Sequence, residues 1–244
     1  MKKTVLMFLI FACILCAVDK NMETTCKENR GKVIEILDKD YKRQSICTNE
    51  INNETMILGI LYIKNNEDLS FKKDTVVPHC EMSDNLHLFI EEGADISHLT
   101  LQDNSSIEME EASSISHINL YGKSKAAING GNVSFLNLND DAVAHIYGIN
   151  INGGSYMSQN VKVIGGVVTY SPNSTIHIYA NNVVFEGGKL SGLWQNGKHF
   201  SFWLIEKKPD KRYKYNEPHA GGYALSSIPI QMPKQVVVHK AEKF

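Results

Sequence analysis

Arginine is scarce in this 244-residue chain, and its absence leaves the middle of the chain acidic. The three arginines are Arg30, Arg43 and Arg212, so residues 51–205 contain none. Residues 84–205 hold five lysines and eleven acidic residues, a net charge of −6, whereas residues 206–244 hold eight basic and four acidic residues, a net charge of +4. Proteins neutralise nucleic-acid phosphates with lysine and arginine, so the acidic region argues against nucleic-acid binding. Only the basic C-terminal region is suited to an anionic partner.

Long apolar runs are also missing beyond the N-terminus. Three residues, Met1-Lys2-Lys3, precede an apolar run over residues 5–18, which is typical of a secretory signal peptide. That run is too short for a comfortable membrane span, and no other segment approaches the roughly 18 apolar residues of a membrane helix. The sequence therefore predicts a signal peptide at residues 1–18 and a secreted or cell-surface protein that is not transmembrane. A lipoprotein anchored through Cys13 or Cys16 is the alternative.

The rest of the chain repeats itself with a period of 19 residues. Residues 96–101 (ISHLTL) align with residues 115–120 (ISHINL) and, after 18 more positions, with residues 133–138 (VSFLNL). A second set of apolar pairs follows the same spacing: Leu69/Phe71, Leu88/Ile90, Ile107/Met109, Ala126/Ile128 and Ala144/Ile146. Self-similarity at a fixed short period is the signature of a solenoid.

Spacing within each repeat indicates strands and turns. Apolar residues two positions apart are typical of a strand with one buried face, and polar or glycine-containing breaks separate the strands. The sequence predicts an all-β fold, a single-stranded parallel β-solenoid of about seven coils of 15–20 residues within 51–205. Val161/Val163 and Ile176/Ile178 are assigned to later, shorter coils. The absence of a hexapeptide rhythm favours a right-handed β-helix.

Both ends of the solenoid are expected to be capped. Residues 19–50 are predicted to form an N-terminal cap, with a strand pair around 33–37 and 44–47. Residues 190–204 contain two tryptophans, two phenylalanines and an Asn-Gly turn, which predicts a C-terminal β-hairpin cap lying across the last coil. Residues 206–244 form a basic linker and tail, in which the strand-like piece 235–239 docks on the solenoid or stays loose.

Three cysteines follow the signal peptide, and an odd number in a secreted protein implies an unpaired thiol. Cys80 falls in the inward column of the repeat with Leu99 and Ile118, so we expect a buried, unreactive thiol there. Cys26 and Cys47 lie outside the repeat and are predicted to form a disulfide in the segment that covers the first coil.

The sequence resembles a known family over roughly residues 126–205. The stretch 130–136 (GGNVSFL), the turn at 140–141 and Ile146-Tyr147-Gly148 are similar to repeats of bacterial secreted right-handed β-helix proteins. Those proteins often end in Gly-x-Trp-x-(Asp/Asn)-Gly, which residues 192–197 (GLWQNG) match. The resemblance implies a β-helix and an extracellular address. The wider pectin-lyase-like architecture includes polysaccharide lyases and hydrolases, so an enzyme has to be considered.

Catalytic residues are hard to find in the repeat. Lyases of this architecture use clustered acids for calcium and a basic residue, commonly arginine, which residues 51–205 lack. Hydrolysis needs two carboxylates, which Asp140 and Asp141 could supply. They also fall at a position that is a turn in every coil, where aspartate is common.

Two columns of outward residues could bind metal ions. Glu91 and Glu110 share a register position; so do Glu92 and Glu111, and Glu108 lies on the same face as Glu110. Stacked carboxylates repel one another, so they could bind Ca²⁺ or form a solvated stripe that Lys72 and Lys73 partly neutralise.

His79, His98 and His117 stand 19 residues apart and should stack on one outward face at intervals of about 4.8 Å. Three imidazoles could bind Zn²⁺ or Cu²⁺, or act as a pH sensor. They could instead form an aromatic stacking ladder, which Phe135 would continue.

Taken together, these features predict a secreted or surface-exposed β-solenoid that acts as a non-catalytic binding, adhesion or cell-envelope structural protein. Its expected partner is an extracellular polysaccharide or a cell-surface component. A carbohydrate-active enzyme of the pectin-lyase-like type and a pure assembly subunit are the alternatives.

Overall fold

The computed structural model describes residues 32–37, 43–48, 50–51, 60–65, 68–158, 160–209 and 223–241. All regular elements in these ranges are β-strands. None of the described residues belongs to a helix long and apolar enough to cross a membrane.

The described strands, in chain order, are β1 Lys32–Leu37, β2 Arg43–Thr48, β3 Glu50–Ile51, β4 Ile60–Asn65, β5 Asp68–Phe71, β6 Val76–Asp84, β7 His87–Ile90, β8 Asp95–Leu101, β9 Ser106–Met109, β10 Ser114–Leu120, β11 Lys125–Ile128, β12 Asn132–Leu138, β13 Val143–Ile146, β14 Asn150–Ile151, β15 Ser155–Met157, β16 Lys162–Ile164, β17 Val167–Tyr170, β18 Thr175–Glu186, β19 Lys189–Trp194, β20 His199–Pro209, β21 Tyr223–Ser227 and β22 Val236–His239.

Successive repeats stack as parallel strands, which confirms the predicted β-solenoid. One sheet, sheet A, pairs β4, β6, β8, β10 and β12 in parallel. The other, sheet B, pairs β5, β7, β9, β11 and β13. Ile115 lies opposite both Ile96 and Val133, as the 19- and 18-residue offsets predict. The solenoid has about five turns, fewer than the seven predicted.

Apolar columns fill the interior between the two sheets. Cys80, Leu99, Ile118 and Leu136 form one such column and are fully buried. The Cys80 thiol is unpaired, and burial, assisted by the nearby charge of Glu81, raises its pKa well above the usual range. Because the thiolate is the reactive form, this agrees with the expectation of an inert core cysteine.

One of the predicted coils is replaced by a hairpin. Val161 and Val163, assigned from the sequence to a coil, lie instead on or beside β16, which forms an antiparallel hairpin with β15 outside the solenoid. These two valines pack with Val167 and Ile205 in a small separate cluster. Sheet B bypasses the hairpin, because β13 pairs directly with β18 across 32 residues, Ala144 opposite Ile176.

The N-terminal hairpin lies against the first coil, as expected. Strands β1 and β2 pair antiparallel, and β1 also pairs antiparallel with β4, with Ile36 opposite Leu61. The edge of sheet A is therefore occupied by β1. Cys26 lies outside the described residues, and the Cys26–Cys47 disulfide stays a prediction.

The C-terminal hairpin is the predicted one, but its four aromatic residues do not share one face. Trp194, Phe200 and Phe202 are buried, with the Trp194 and Phe200 rings stacked 4.0 Å apart. Trp203 points the other way, and its indole Nε1 donates to the Ile164 oxygen at 3.0 Å in the β15–β16 hairpin. Adjacent residues of a strand face opposite sides, so Trp203 cannot cover the core when Phe202 does.

Much of the segment predicted as linker and tail belongs to the sheets. Strand β20 continues to Pro209 and pairs with β21, and its earlier residues pair in parallel with β17. Strand β22 docks on β18 in parallel, with Val236 opposite Ile176. The strand-like piece at 235–239 thus forms a further rung of sheet B.

Candidate binding groove

One corner of the solenoid uses the same left-handed turn in four successive coils. The residues at this position are Asp74, Gly93, Ala112 and Gly131, with φ of 63°, 83°, 60° and 86°. Glycine adopts this conformation without the steric cost that a Cβ brings. At Gly131 a side chain would also be blocked, because its Cβ would lie 2.5 Å from the Ser113 carbonyl oxygen.

Glycines allow this corner to pack closely against the preceding coil in the later coils. A Cβ at Gly130 would lie 2.7 Å from Glu111 Cγ, and one at Gly148 would lie 2.9 Å from the Asn129 oxygen. Successive corners therefore approach each other too closely for a side chain to fit between them.

The turn of the β19–β20 hairpin stands beside these corners and forms the second wall of a groove of about 480 Å³. The groove is lined by Glu111, Ala112, Gly130, Gly131, Asn132, Gly148, Ile149, Asn150, Trp194, Asn196, Lys198 and His199. This brings together the two stretches, 130–136 and 192–197, on which the family resemblance was based. They are about 60 residues apart in the sequence.

Asparagine amides line the groove on both sides. Asn150 Nδ2 donates to Asn132 Oδ1 at 3.0 Å, a pair that links two successive coils. On the hairpin side, the backbone amide of Lys198 donates to Asn196 Oδ1 at 3.0 Å. These bonds use one side of each amide and fix its orientation, because an asparagine side chain has two donor hydrogens and an acceptor oxygen.

Charged groups stand on opposite walls of the groove. Glu111, on the coil side, is exposed, and so are Lys198 and His199 on the hairpin side. Among the described lining residues, Glu111 is the only carboxylate. The groove therefore offers an anion and a cation on facing walls.

Trp194 ties the hairpin to the corner. Its indole Nε1 donates to the Ile149 carbonyl oxygen at 2.8 Å, and its ring is 3% exposed. The hairpin wall is thus held by a buried hydrogen bond and by the stacking of Trp194 on Phe200.

Asp140 and Asp141 are not among the groove residues. Asp140 has a φ of 53°, and its Oδ2 accepts the backbone N–H of Gly122 in the preceding coil at 3.0 Å. Asp103 has a similar role in an earlier coil, where its Oδ2 lies 3.4 Å from the Asp84 nitrogen. The Asp140 carboxylate therefore holds a turn, as the repeated turn position suggested.

The predicted acidic column is partly neutralised. Lys72 Nζ lies 2.7 Å from Glu91 Oε1, which confirms the expected compensation from the preceding coil. Asn129 Nδ2 donates to Glu108 Oε1 at 3.4 Å. Glu110 is exposed, and Glu111 belongs to the groove.

His79, His98 and His117 stack as the period predicts. The ring centroids of His79 and His98 are 5.7 Å apart, and those of His98 and His117 are 4.5 Å apart. Phe135 continues the ladder at 4.8 Å from His117. Ser97 and Ser116 lie 3.0 Å from Nδ1 of the following histidine. The arrangement is a stacking ladder with a serine partner for two of its rings.

Neither the glutamate column nor the histidine column has the arrangement of a metal site in the described residues. Within the portion of the chain that the structure describes, no group of three or more His, Cys, Asp or Glu residues is arranged to hold a metal ion. The zinc and calcium predictions thus gain no support from the geometry.

A second aromatic cluster, which the sequence analysis missed, lies on the outer face of sheet B. His145 and His177 stack 4.5 Å apart, and Tyr147 and Tyr179 stack 4.2 Å apart. His239, on β22, stacks on Tyr179 at 4.6 Å. The 32-residue step from His145 to His177 hid this column, although the shared spacing of the two His-x-Tyr pairs could have revealed it.

Comparisons of the chain with protein-family models, with curated proteins and with solved structures give no match.

Proposed function

We propose that this protein is a secreted or surface-exposed β-solenoid that binds a saccharide chain of an extracellular surface without cleaving it. The corner groove is the binding site in this proposal, and the coil is of the right-handed, pectin-lyase-like type. Its signal-like N-terminus and its resemblance to bacterial secreted β-helix proteins support the extracellular address.

The groove's composition is the observation that carries the proposal. A volume of about 480 Å³ lies within the range of about 300–1,000 Å³ that is usual for small-ligand sites. Each sugar hydroxyl is both a donor and an acceptor, and Asn132, Asn150 and Asn196 present amides that are both as well. The hydrogen bond between Asn150 and Asn132, and the one from the Lys198 backbone amide to Asn196, keep these side chains in place, which reduces the ordering cost of binding.

The lining favours binding over cleavage. Hydrolysis of a glycosidic bond ordinarily uses two carboxylates, and Glu111 is the single carboxylate among the described lining residues. Lys198 and His199 opposite it suit a ligand carboxylate. An acidic oligosaccharide is therefore the better ligand class than a neutral one.

The test is isothermal titration calorimetry of the whole secreted protein with two ligands in separate experiments. One ligand is oligogalacturonate and the other is a neutral cello-oligosaccharide. We expect the acidic probe to bind more tightly. The double variant Asn132→Ala, Asn150→Ala should weaken its binding about tenfold, because two net hydrogen bonds of about 0.5–1.5 kcal/mol each are lost.

The matched control is Asn104→Ala. Asn104 and Asn85 form a similar exposed pair, with 3.3 Å between Nδ2 and Oδ1, outside the groove. This variant should bind like the parent. Equal binding by the double variant would contradict the site. Release of reducing or unsaturated sugars that stops in Glu111→Gln would favour the enzyme alternative.

A further inference from the structure

Lys207 lies with its amine against the side-chain amide of Asn139. Its Nζ donates to Asn139 Oδ1 at 3.0 Å, although the two residues are 68 positions apart. Lys207 is on β20, which pairs in parallel with β17 in sheet A. Asn139 begins the turn after β12. The contact therefore joins the C-terminal hairpin to the turn of an inner coil.

Asn139 is fixed and shielded. Its side chain is 3% exposed, and its Nδ2 donates to the Leu120 carbonyl oxygen at 3.0 Å. This bond orients the amide and leaves Oδ1 to accept from Lys207 Nζ, so the carbonyl carbon is one bond away from the atom that the amine contacts. Water has little access to that carbon, which disfavours hydrolysis of the amide.

The amine is suited to act as a nucleophile. Burial lowers the pKa of the Lys207 ammonium to about 8, and the nearby negative charge of Asp140 opposes that shift. Asp140 follows Asn139 directly in the chain, and its charge also contributes to raising the pKa of Tyr121, after burial. The amine thus contacts a shielded amide, and the carboxylate of the next residue is near enough for its charge to act on the amine.

We propose that Lys207 and Asn139 form an intramolecular isopeptide bond, with Asp140 as the proton carrier. This inference does not depend on the proposed function of the groove.

The reaction needs no additional reagent. Asp140 accepts a proton from the Lys207 ammonium, and the lone pair of the neutral Nζ attacks Asn139 Cγ to form the new C–N bond. The Cγ–Nδ2 bond then breaks. The departing nitrogen takes protons from Nζ and from Asp140, and one ammonium ion leaves. The products are a secondary amide and ammonium in place of an ammonium and a primary amide, so atoms and charge balance. Holding the two groups in contact supplies most of the rate advantage.

The first test is the mass of the folded full-length protein, measured after denaturation and reduction. We expect a value lower by one ammonia than the sequence from the observed N-terminus requires. Tryptic digestion should give residues 126–162 joined to residues 199–211, since trypsin would not cut at a blocked Lys207 or before Pro209. Cleavage after Lys207 together with the full mass would overturn the proposal.

Variants with matched neighbours test the roles. Lys207→Arg keeps a donor for Asn139 but cannot form the amide, so it should restore the full mass, whereas Lys208→Arg at the exposed next position should keep the deficit. Asp140→Asn should slow or abolish the reaction, and Asp141→Asn, at the exposed neighbour, should not. A persistent deficit in Lys207→Arg would assign the lost ammonia to another site.

Discussion

Each imidazole in the first ladder has another ring against its face. His117 lies between His98 and Phe135. Its pKa is lowered, first by burial and then by the charge of His98. In the sheet B cluster, burial and neighbouring histidines likewise lower the pKa of His145 and His177. The folded protein thus resists protonation of His117, His145 and His177.

This shift makes stability depend on pH in a definite direction. In the unfolded chain His117 titrates near its ordinary value of 6.5, and in the fold it titrates lower. Between those two values the unfolded state binds more protons, so the free energy of unfolding falls as the pH drops through 6.5. The loss stops once the pH is below the folded pKa. We expect His117→Phe to make this portion of the curve less steep, with the remaining slope due to His145 and His177, as measured by urea unfolding at pH values on both sides of it.

Comparing His117→Asn with His117→Phe separates the effect of titration from the effect of ring stacking. The asparagine variant removes the titrating group and also the ring, so it should make the pH dependence less steep yet lower stability at neutral pH. Phenylalanine should not lower it, because it continues the stack in the manner of Phe135. A parent protein whose stability rises on acidification through this range would contradict the assignment.

Strand β22 is an added rung rather than a coil of the repeat. It comes from the C-terminal region of the chain and pairs with β18 along four residues. Side chains strengthen the docking, because His177 Nδ1 and His239 Nε2 share a hydrogen bond of 2.9 Å and Val236 is buried.

Replacing Val236 should weaken the docking of β22 on β18. Val236→Ser removes an apolar side chain that is 7% exposed, at a cost of about 1.5–3 kcal/mol, so β22 should open more often. The backbone N–H of Ile176, which donates to the Gln235 oxygen, should then exchange with deuterium at least about tenfold faster. Val237→Ser is the control, since Val237 is 37% exposed. Equal exchange in the two variants would mean that Val236 does not hold the strand.

The regular coils could be predicted because a single constraint, the apolar pair at a fixed offset, places every strand. His79, His98 and His117 stack as expected for that reason. The β15–β16 hairpin could not be predicted, since Val161 and Val163 show the same alternation whether they face the solenoid core or a small outer cluster. Periodicity indicates that one face of a strand is buried, but it does not indicate which part of the protein that face packs against.

The groove lay beyond sequence reasoning for a related reason. Its walls come from a corner of the coils and from the turn of a hairpin, and nothing in the local pattern says that the hairpin turn stands beside Gly131. The contact between Lys207 and Asn139 is of the same kind, because it depends on how far β20 continues after its aromatic residues. Both sites follow from long-range pairing, which a repeat period does not specify.

For the molecule as a whole, the sheet edges at the two ends of the solenoid determine whether it associates with other molecules. A stack of parallel coils has open sheet edges at both ends, and open edges pair with other chains. At the N-terminal end of sheet A, β1 occupies the edge of β4 with its own antiparallel pairing. Because β1 lies between β2 and β4, it needs its backbone hydrogen bonds on both sides.

A proline in β1 should therefore turn the protein into an associating one. Ile36→Pro removes a backbone donor from a strand with neighbours on both sides, which proline does not tolerate. With β1 displaced, the edge of β4 is exposed, and we expect concentration-dependent oligomers by light scattering after size exclusion. Adding Tyr62→Lys, which adds a charge to that edge strand, should restore the size of the parent protein, because charged side chains on an edge block pairing with other strands. Oligomers that are unaffected by the lysine, or a proline variant that keeps the parent's size on concentration, would show that β1 does not protect this edge.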